Sequence, residues 1–304
     1  SLFLSLSILF GLGAGATSFG LILTSSINFV GESRAMMISG LLNAAAGMGS
    51  FALSPILGAL VLMGGIGLVS AVMLIPVVAL LPVAIVVTSK DKMRDLERKK
   101  IDGAIDTRDD VDFLGLFRTA FRDRTFILLV IGFTTCGFHM VIIESHLFSQ
   151  YVAYGIEKDV ASWVFSLYGV FTIVGALLSG WLSTRLDKGR LLAFYYGFRA
   201  IWVLLYVFVM PKTVFTAVLF SIGLGMTGDA TVSPTSGLVA RGFKFSSVAT
   251  LIGVLFFIHQ VGAFFSAWLG GIIFLNTGTY DLLWVLDVLL CAIACVASMA
   301  IKKS

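Results

Sequence analysis

Charge is scarce in this 304-residue chain: Asp, Glu, Lys and Arg together make up 12% of it, and it has only three cysteines and three histidines. Against a hydrophobic fraction of 58% and a mean hydropathy of +1.01, so little charge excludes an ordinary soluble domain. Cys136, Cys291 and Cys295 lie within apolar stretches, with neither metal-ligand spacing nor a disulfide framework, and read as small apolar fillers. No Walker motif argues for direct ATP coupling, and no Ser-His-Asp order in a soluble context argues for an enzyme. The run GLGAGATSFG at 11–20 has the glycines of a nucleotide loop, but it follows no strand and sits inside an apolar span, which makes it a helix-packing surface. A pI near 9.0 comes without an aromatic-basic patch, so nucleic acid is not an expected partner.

What the chain does have is long apolar runs. Nine can be marked, at 2–30, 35–62, 66–88, 125–153, 160–184, 191–211, 213–240, 246–275 and 281–301. A hydrocarbon core of roughly 30 Å needs about 20 apolar helical residues, whereas spanning strands are about ten residues of alternating polarity. The runs therefore predict an all-α polytopic membrane protein. Of 21 Lys and Arg residues, 18 fall after the first, third, fifth, seventh and ninth runs. Basic loops stay on the cytoplasmic side, so this alternation places Ser304 in the cytoplasm and residue 1 outside.

A repeat bears on the organisation. Gly40, Gly49 and Gly58 recur as Gly253, Gly262 and Gly271 at an offset of 213, and the same offset carries Thr88 onto Ile301. If residues 1–88 repeat as 214–301, the spans at 124–211 have partners upstream of residue 1. The expectation is a twelve-helix protein of two six-helix halves, represented here by helices 4–12. Residues 1–88 would be a partial first half, 89–124 a cytoplasmic linker and 125–304 the second half. The linker opens with charges of both signs and turns amphipathic at FLGLFRTAFRDRTF. There Leu114, Phe117 and Phe121 are spaced for one helical face on the membrane surface.

Specific stretches carry a family resemblance. RTFILLVIGFTTCGFHMVIIESHL, GALLSGWLSTRLDKGRLL, TSGLVARGF, ATLIGVLFFIHQVGAFFSAWLGG and TGTYD resemble helices seven, eight, ten and eleven and the adjoining turns of major facilitator proteins. The subgroup they resemble is the bacterial monocarboxylate-transporter-like one. That resemblance implies two parallel halves and a midplane site. It also implies a gating loop, here Gly180, Arg185, Lys188 and Arg190. Two departures stand out. Thr184 occupies the acidic position of the loop signature, which would loosen its latch. The run 160–184 also lacks the Asp, Glu, Lys and Arg that commonly anchor a carboxylate there.

Ionisable residues inside a bilayer are functional candidates by default. Arg199, Asp229 and His259 come first: counted from the cytoplasmic helix ends they lie roughly 13, 17 and 20 Å deep. Arg199 and Asp229 at similar depth are expected to pair, as a structural clamp or around a substrate. His259, with Gln260 beside it, is a proton-carrying candidate. Asp229 also lies on a ridge of small residues (Gly225, Ser233, Gly237). His139 and His146, seven apart, are expected to share a face, with Glu144 off it and nearer the outer surface. With no carboxylate or Cys expected to join them, metal binding is not predicted. Asp287 reads as structural, and Asn28 and Asn43 are weaker cavity candidates.

Together these readings predict a secondary active transporter in the bacterial inner membrane, monomeric and without a cofactor. Its cargo would be a small organic solute, a carboxylate or related metabolite, with a proton or another coupling ion. An exporter of the same fold is the alternative, since Ser54-Pro55 with Gly58 partly matches the exporter signature. A non-transporting membrane sensor is the third reading.

Overall fold

The computed structural model describes residues 22–23, 26, 34–101 and 113–302; the run 2–30, with Asn28 and the glycine-rich 11–20, lies almost wholly outside them. Every regular element among the described residues is helical. Eight helices occur in the order α1 (Ala35–Ile101), α2 (Phe113–Ala120), α3 (Arg124–Ala153), α4 (Lys158–Leu182), α5 (Lys188–Val209), α6 (Val214–Gly242), α7 (Phe245–Thr277) and α8 (Asp281–Met299). The last six are long and apolar enough to cross a membrane, and their ends fall within three residues of the hydropathy boundaries. The match has a physical reason: each helix ends where the chain can return its backbone polar groups to water.

Two compact units are present. Residues up to Met48 group with Thr119–Ser304, and Gly49–Arg118 forms the other. Within the latter, the apolar runs 35–62 and 66–88 meet at a break in α1. Gly64 and Gly65 leave helical geometry there, and Gly65 has a φ of 66°, a conformation that side chains other than glycine resist. The helix then continues past Thr88 into the charged segment, to Ile101. In α2, Leu114 is 84% exposed, so the apolar face expected on the membrane surface is open. Asp123 ends that segment and caps α3, accepting from the Phe126 N–H at 2.8 Å.

Small residues set the packing of the larger unit. Gly137 of α3 lies against the backbone carbonyl of His259 on α7, and Gly262 of α7 lies against the Thr134 carbonyl of α3. Gly175 and Gly225 play the same role between α4 and α6, against Met226 and Tyr168. Small residues let helix axes approach closely where the hydrophobic effect supplies no attraction. The first residues of α1 cross α4 in the same way: Gly40 meets Gly180 and the Ala176 carbonyl, and Gly47 meets Ile173. Asn43, on the same face of α1, is 6% exposed, and neither its Nδ2 nor the Oγ of Ser39 or Ser183 has a partner among the described residues.

Two helices are locally distorted. In α3 a π turn runs from Ile143 to Leu147, and α5 closes with another from Leu205 to Val209. At the second, Lys212 caps the freed carbonyls, donating to those of Tyr206, Val207 (2.9 Å) and Met210 (3.1 Å). Its ammonium also stands 4.9 Å from the Tyr206 ring centroid. Burial pulls the Lys212 pKa below the ordinary lysine range, and Asp281 pulls it back up.

Replacing Gly137 with Leu drives a side chain into the α7 backbone. The expected loss is about 1–3 kcal/mol, read as lower thermal stability of the detergent-solubilised protein. Gly253→Ala, where an added methyl meets nothing within 4 Å, leaves stability unchanged or raises it.

Candidate functional site

The site is built around an interruption of α6. Its first segment ends at Thr227, a 3₁₀ turn covers Asp229–Thr231, and the helix resumes at Val232. The sequence cause is Pro234, which has no N–H and so deprives the Ala230 carbonyl of its helical donor. Backbone polar groups freed inside a bilayer must find other partners. Three neighbouring helices provide them. The Ser179 hydroxyl of α4 donates to the Ala230 carbonyl. Arg199 of α5 donates through Nη2 to the carbonyls of Thr227 and Gly228, the latter at 2.6 Å. Cys136 of α3 places its Sγ 3.2 Å from Thr231 Oγ1 and 3.6 Å from Arg199 Nη1.

Arg199 is therefore a cation at a helix C-terminus, where the backbone dipole favours positive charge. It is fully buried and stands 5.4 Å from the Tyr196 ring centroid. Its expected ion pair with Asp229 does not form: among the described residues the one contact within 4.0 Å between a carboxylate and a basic side chain is Asp287 with His139. The bend directs the guanidinium to the helix-end carbonyls instead. Asp229 is half-buried, and its carboxylate has no hydrogen-bond partner among the described residues.

Around Asp229 the structure gathers residues that sequence reasoning left aside. Cys136, Met140 and Glu144 recur every four residues on α3, and the first two face the α6 break. The Tyr168 hydroxyl donates to Met140 Sδ at 3.4 Å, and a side chain at Gly228 would meet that hydroxyl. Glu144, inside the π turn, is exposed and lies within electrostatic reach of Asp229, Tyr168 and His259. An exposed carboxylate within a span turns away from lipid, toward the bundle interior or water. Cys136 is thus no apolar filler. The signals available in sequence were the four-residue spacing on α3 and Pro234 on α6.

His259 packs on Phe133 and Phe256, with ring centroids 5.2 and 6.1 Å away, and its Nδ1 is buried without a partner among the described residues. It borders the same region. Gln260 is exposed, with no hydrogen bond among the described residues. His139 and His146 do not share a face. His139 is fully buried against α8, with Nδ1 2.8 Å from Asp287 Oδ2, whereas His146 packs on Gly270 of α7 and 5.0 Å from the Tyr280 ring. The π turn between them widens the helix and rotates the residues beyond it. A carboxylate and a thiol do reach a histidine: the donor atoms of His139, Asp287 and Cys291 lie within 4.8 Å of one another. The expectation that no carboxylate or thiol joins these histidines, and with it the reason for not predicting metal binding, fails at His139.

On either side of the α4–α5 loop, Gly180 of α4 makes the close contact with α1, and Lys188 of α5 lays its stem across Gly237 of α6. Thr184, standing where an acid is usual, donates to the Trp181 carbonyl at 2.7 Å, and Arg185 stacks 5.1 Å from the Trp181 ring. Asp187 caps α5 through the Arg190 N–H at 2.9 Å, and the Arg190 side chain is exposed.

Residues 147–303 match the family model described as Major Facilitator Superfamily. The chain is 27% identical over 180 residues to the uncharacterized MFS-type transporter YcxA of Bacillus subtilis, covering 57% of this chain and 43% of that protein. It is 28% identical over 158 residues to the riboflavin transporter RibJ of Trypanosoma cruzi, covering 50% and 33%. To RibJ of Trypanosoma brucei brucei it is 30% identical over 148 residues, covering 47% and 27%. The chain thus spans less than half the length of the curated relatives it matches.

Two substitutions separate the roles of the charged pair. Arg199→Met strands the Thr227 and Gly228 carbonyls and is expected to cost about 2–3 kcal/mol of stability. Asp229→Asn, removing a carboxylate without a partner, leaves thermal stability near that of the parent. The double variant then adds the two single effects. A large coupling between the two changes, measured by thermal unfolding in detergent, would show that the pair is a clamp after all.

Proposed function

The chain belongs to the major facilitator superfamily, and from that premise we propose that it forms part of a secondary active transporter that moves a small organic solute by alternating access. The observation that carries the reading is the interrupted α6, which holds the unpartnered Asp229 carboxylate near Glu144 and His259 inside an apolar bundle. A helix broken at mid-membrane is how transporters present polar groups to cargo and coupling ion.

Coupling is to protons in this proposal, with Asp229 or His259 cycling the proton. Arg199 serves as the cap of the broken helix and leaves the cargo to its neighbours. Two cargo classes have support. The resemblance to the monocarboxylate-transporter-like group implies a carboxylate, and the riboflavin transporters among the relatives point to a heteroaromatic solute. The absence of charge from the run 160–184 and the engagement of Arg199 with carbonyls favour the second. The proposed arrangement has 1–88 and 125–304 in separate halves joined by 89–124, monomeric in a bacterial inner membrane with Ser304 cytoplasmic.

Uptake by the full-length protein in proteoliposomes is the test. An imposed inward proton gradient accelerates accumulation, and Asp229→Asn abolishes that acceleration while retaining solute exchange at equilibrium. Uptake indifferent to the gradient refutes proton coupling. Pro234→Ala restores the donor to the Ala230 carbonyl, so it is expected to raise thermal stability and slow turnover. A faster transporter would refute the role given to the break.

A further inference from the structure

The cluster of His139, Asp287 and Cys291 lies apart from the α6 break and joins α3 to α8. All three residues are fully buried, and their donor atoms lie within 4.8 Å of one another. His139 Nδ1 is 2.8 Å from Asp287 Oδ2, and Cys291 Sγ is 3.8 Å from Asp287 Oδ1. Asp287 and Cys291 are one helical turn apart on α8, so both project toward the same side of α3. His139 Nε2 is buried with no partner among the described residues, which leaves the ring's polar capacity incompletely used.

We propose that His139, Asp287 and Cys291 form a binding site for a borderline-soft divalent cation of the zinc class. The donor set selects the ion. Imidazole, thiolate and carboxylate together suit zinc or cadmium, while calcium and magnesium take oxygen ligands. Charge selects it as well. A dication with one carboxylate, one thiolate and a neutral imidazole sums to zero, the total that a low-dielectric interior tolerates. On binding, the Cys291 thiol releases its proton to solvent and a metal–sulfur bond forms, with no change of oxidation state.

The geometry needs little adjustment. Ligand atoms at ordinary zinc bond lengths around a tetrahedron are about 3.5 Å apart. Cys291 Sγ to Asp287 Oδ1 is already close to that, His139 Nδ1 and Asp287 Oδ2 must part by about 0.7 Å to admit the ion, and the imidazole and the thiol lie within 4.8 Å of each other. Asp287 lies about 9 Å along α8 from the helix start at Asp281, the nearer end of that helix. The bound ion would staple α3 to α8. The transport reading is not required for any of these steps.

Cadmium titration of the full-length protein, purified in detergent and stripped with a chelator, tests the site. The expected result is a cadmium–thiolate absorption band saturating at one equivalent, with a parallel rise in thermal stability. Cys291→Ser removes the band, and Asp287→Asn weakens binding at least tenfold. Cys136→Ser and Cys295→Ser leave both readouts intact. Absence of the band in the parent protein overturns the proposal whatever the variants do. So does a band that survives Cys291→Ser, or one that disappears with Cys136→Ser or Cys295→Ser.

Discussion

Satisfying backbone polar groups where no water reaches is the constraint on which the rest of this bundle depends. A regular helix meets it alone, and α3, α4, α7 and α8 obey that rule over most of their length. The α6 helix does not, because Pro234 removes one donor and the turn at Asp229–Thr231 releases several carbonyls. Their replacements come from three separate helices: Ser179, Arg199 and Cys136, whose Sγ lies 4.0 Å from the Gly228 carbonyl. A side chain that looks like a charge in the wrong place is there because a backbone needs it. The deepest polar knot in the molecule is thus assembled around a defect in secondary structure, and the defect in turn frees Asp229 from local bonding.

The spans were legible because hydropathy and length act residue by residue, and a bilayer enforces both. Partners were not, because they depend on the rotation of each helix about its axis. Arg199 and Asp229 have matching depths, and depth alone paired them. The bend at Gly228 then turned the guanidinium toward carbonyls. His139 and His146 are seven apart, and seven residues of regular α-helix would align them. The π turn at Ile143–Leu147 rotates the second toward α7. Cys136 read as filler because its neighbours in sequence are apolar, although its neighbours in space are Arg199 and Thr231. Pro234 was visible in the sequence throughout as the residue that interrupts the helix.

The polar residues of the bundle form two groups of different character. The pair His139–Asp287, with Cys291, is enclosed between α3 and α8 and spends most of its bonding capacity within itself. The group around Asp229 is less enclosed: Glu144 is exposed, Asp229 and His259 are half-buried, and the Asp229 carboxylate has no partner among the described residues. The first group holds two helices and leaves His139 Nε2 without a partner among the described residues. The second leaves bonding capacity unused on a surface that cannot rest against lipid. Charge in this protein is sparse, and the charged residues deepest within the sequence of the spans, Glu144, Arg199, Asp229 and Asp287, belong to these two groups.

The crossing of α1 over α4 is fastened by shape alone. Gly40 and Gly180 touch backbone to backbone, while beside them Ser39 Oγ, Asn43 Nδ2 and Ser183 Oγ have no partners among the described residues. Among the described residues no hydrogen bond fastens that seam, and the polar atoms buried beside it offset part of what its packing contributes, so it is held less firmly than its close contacts alone suggest.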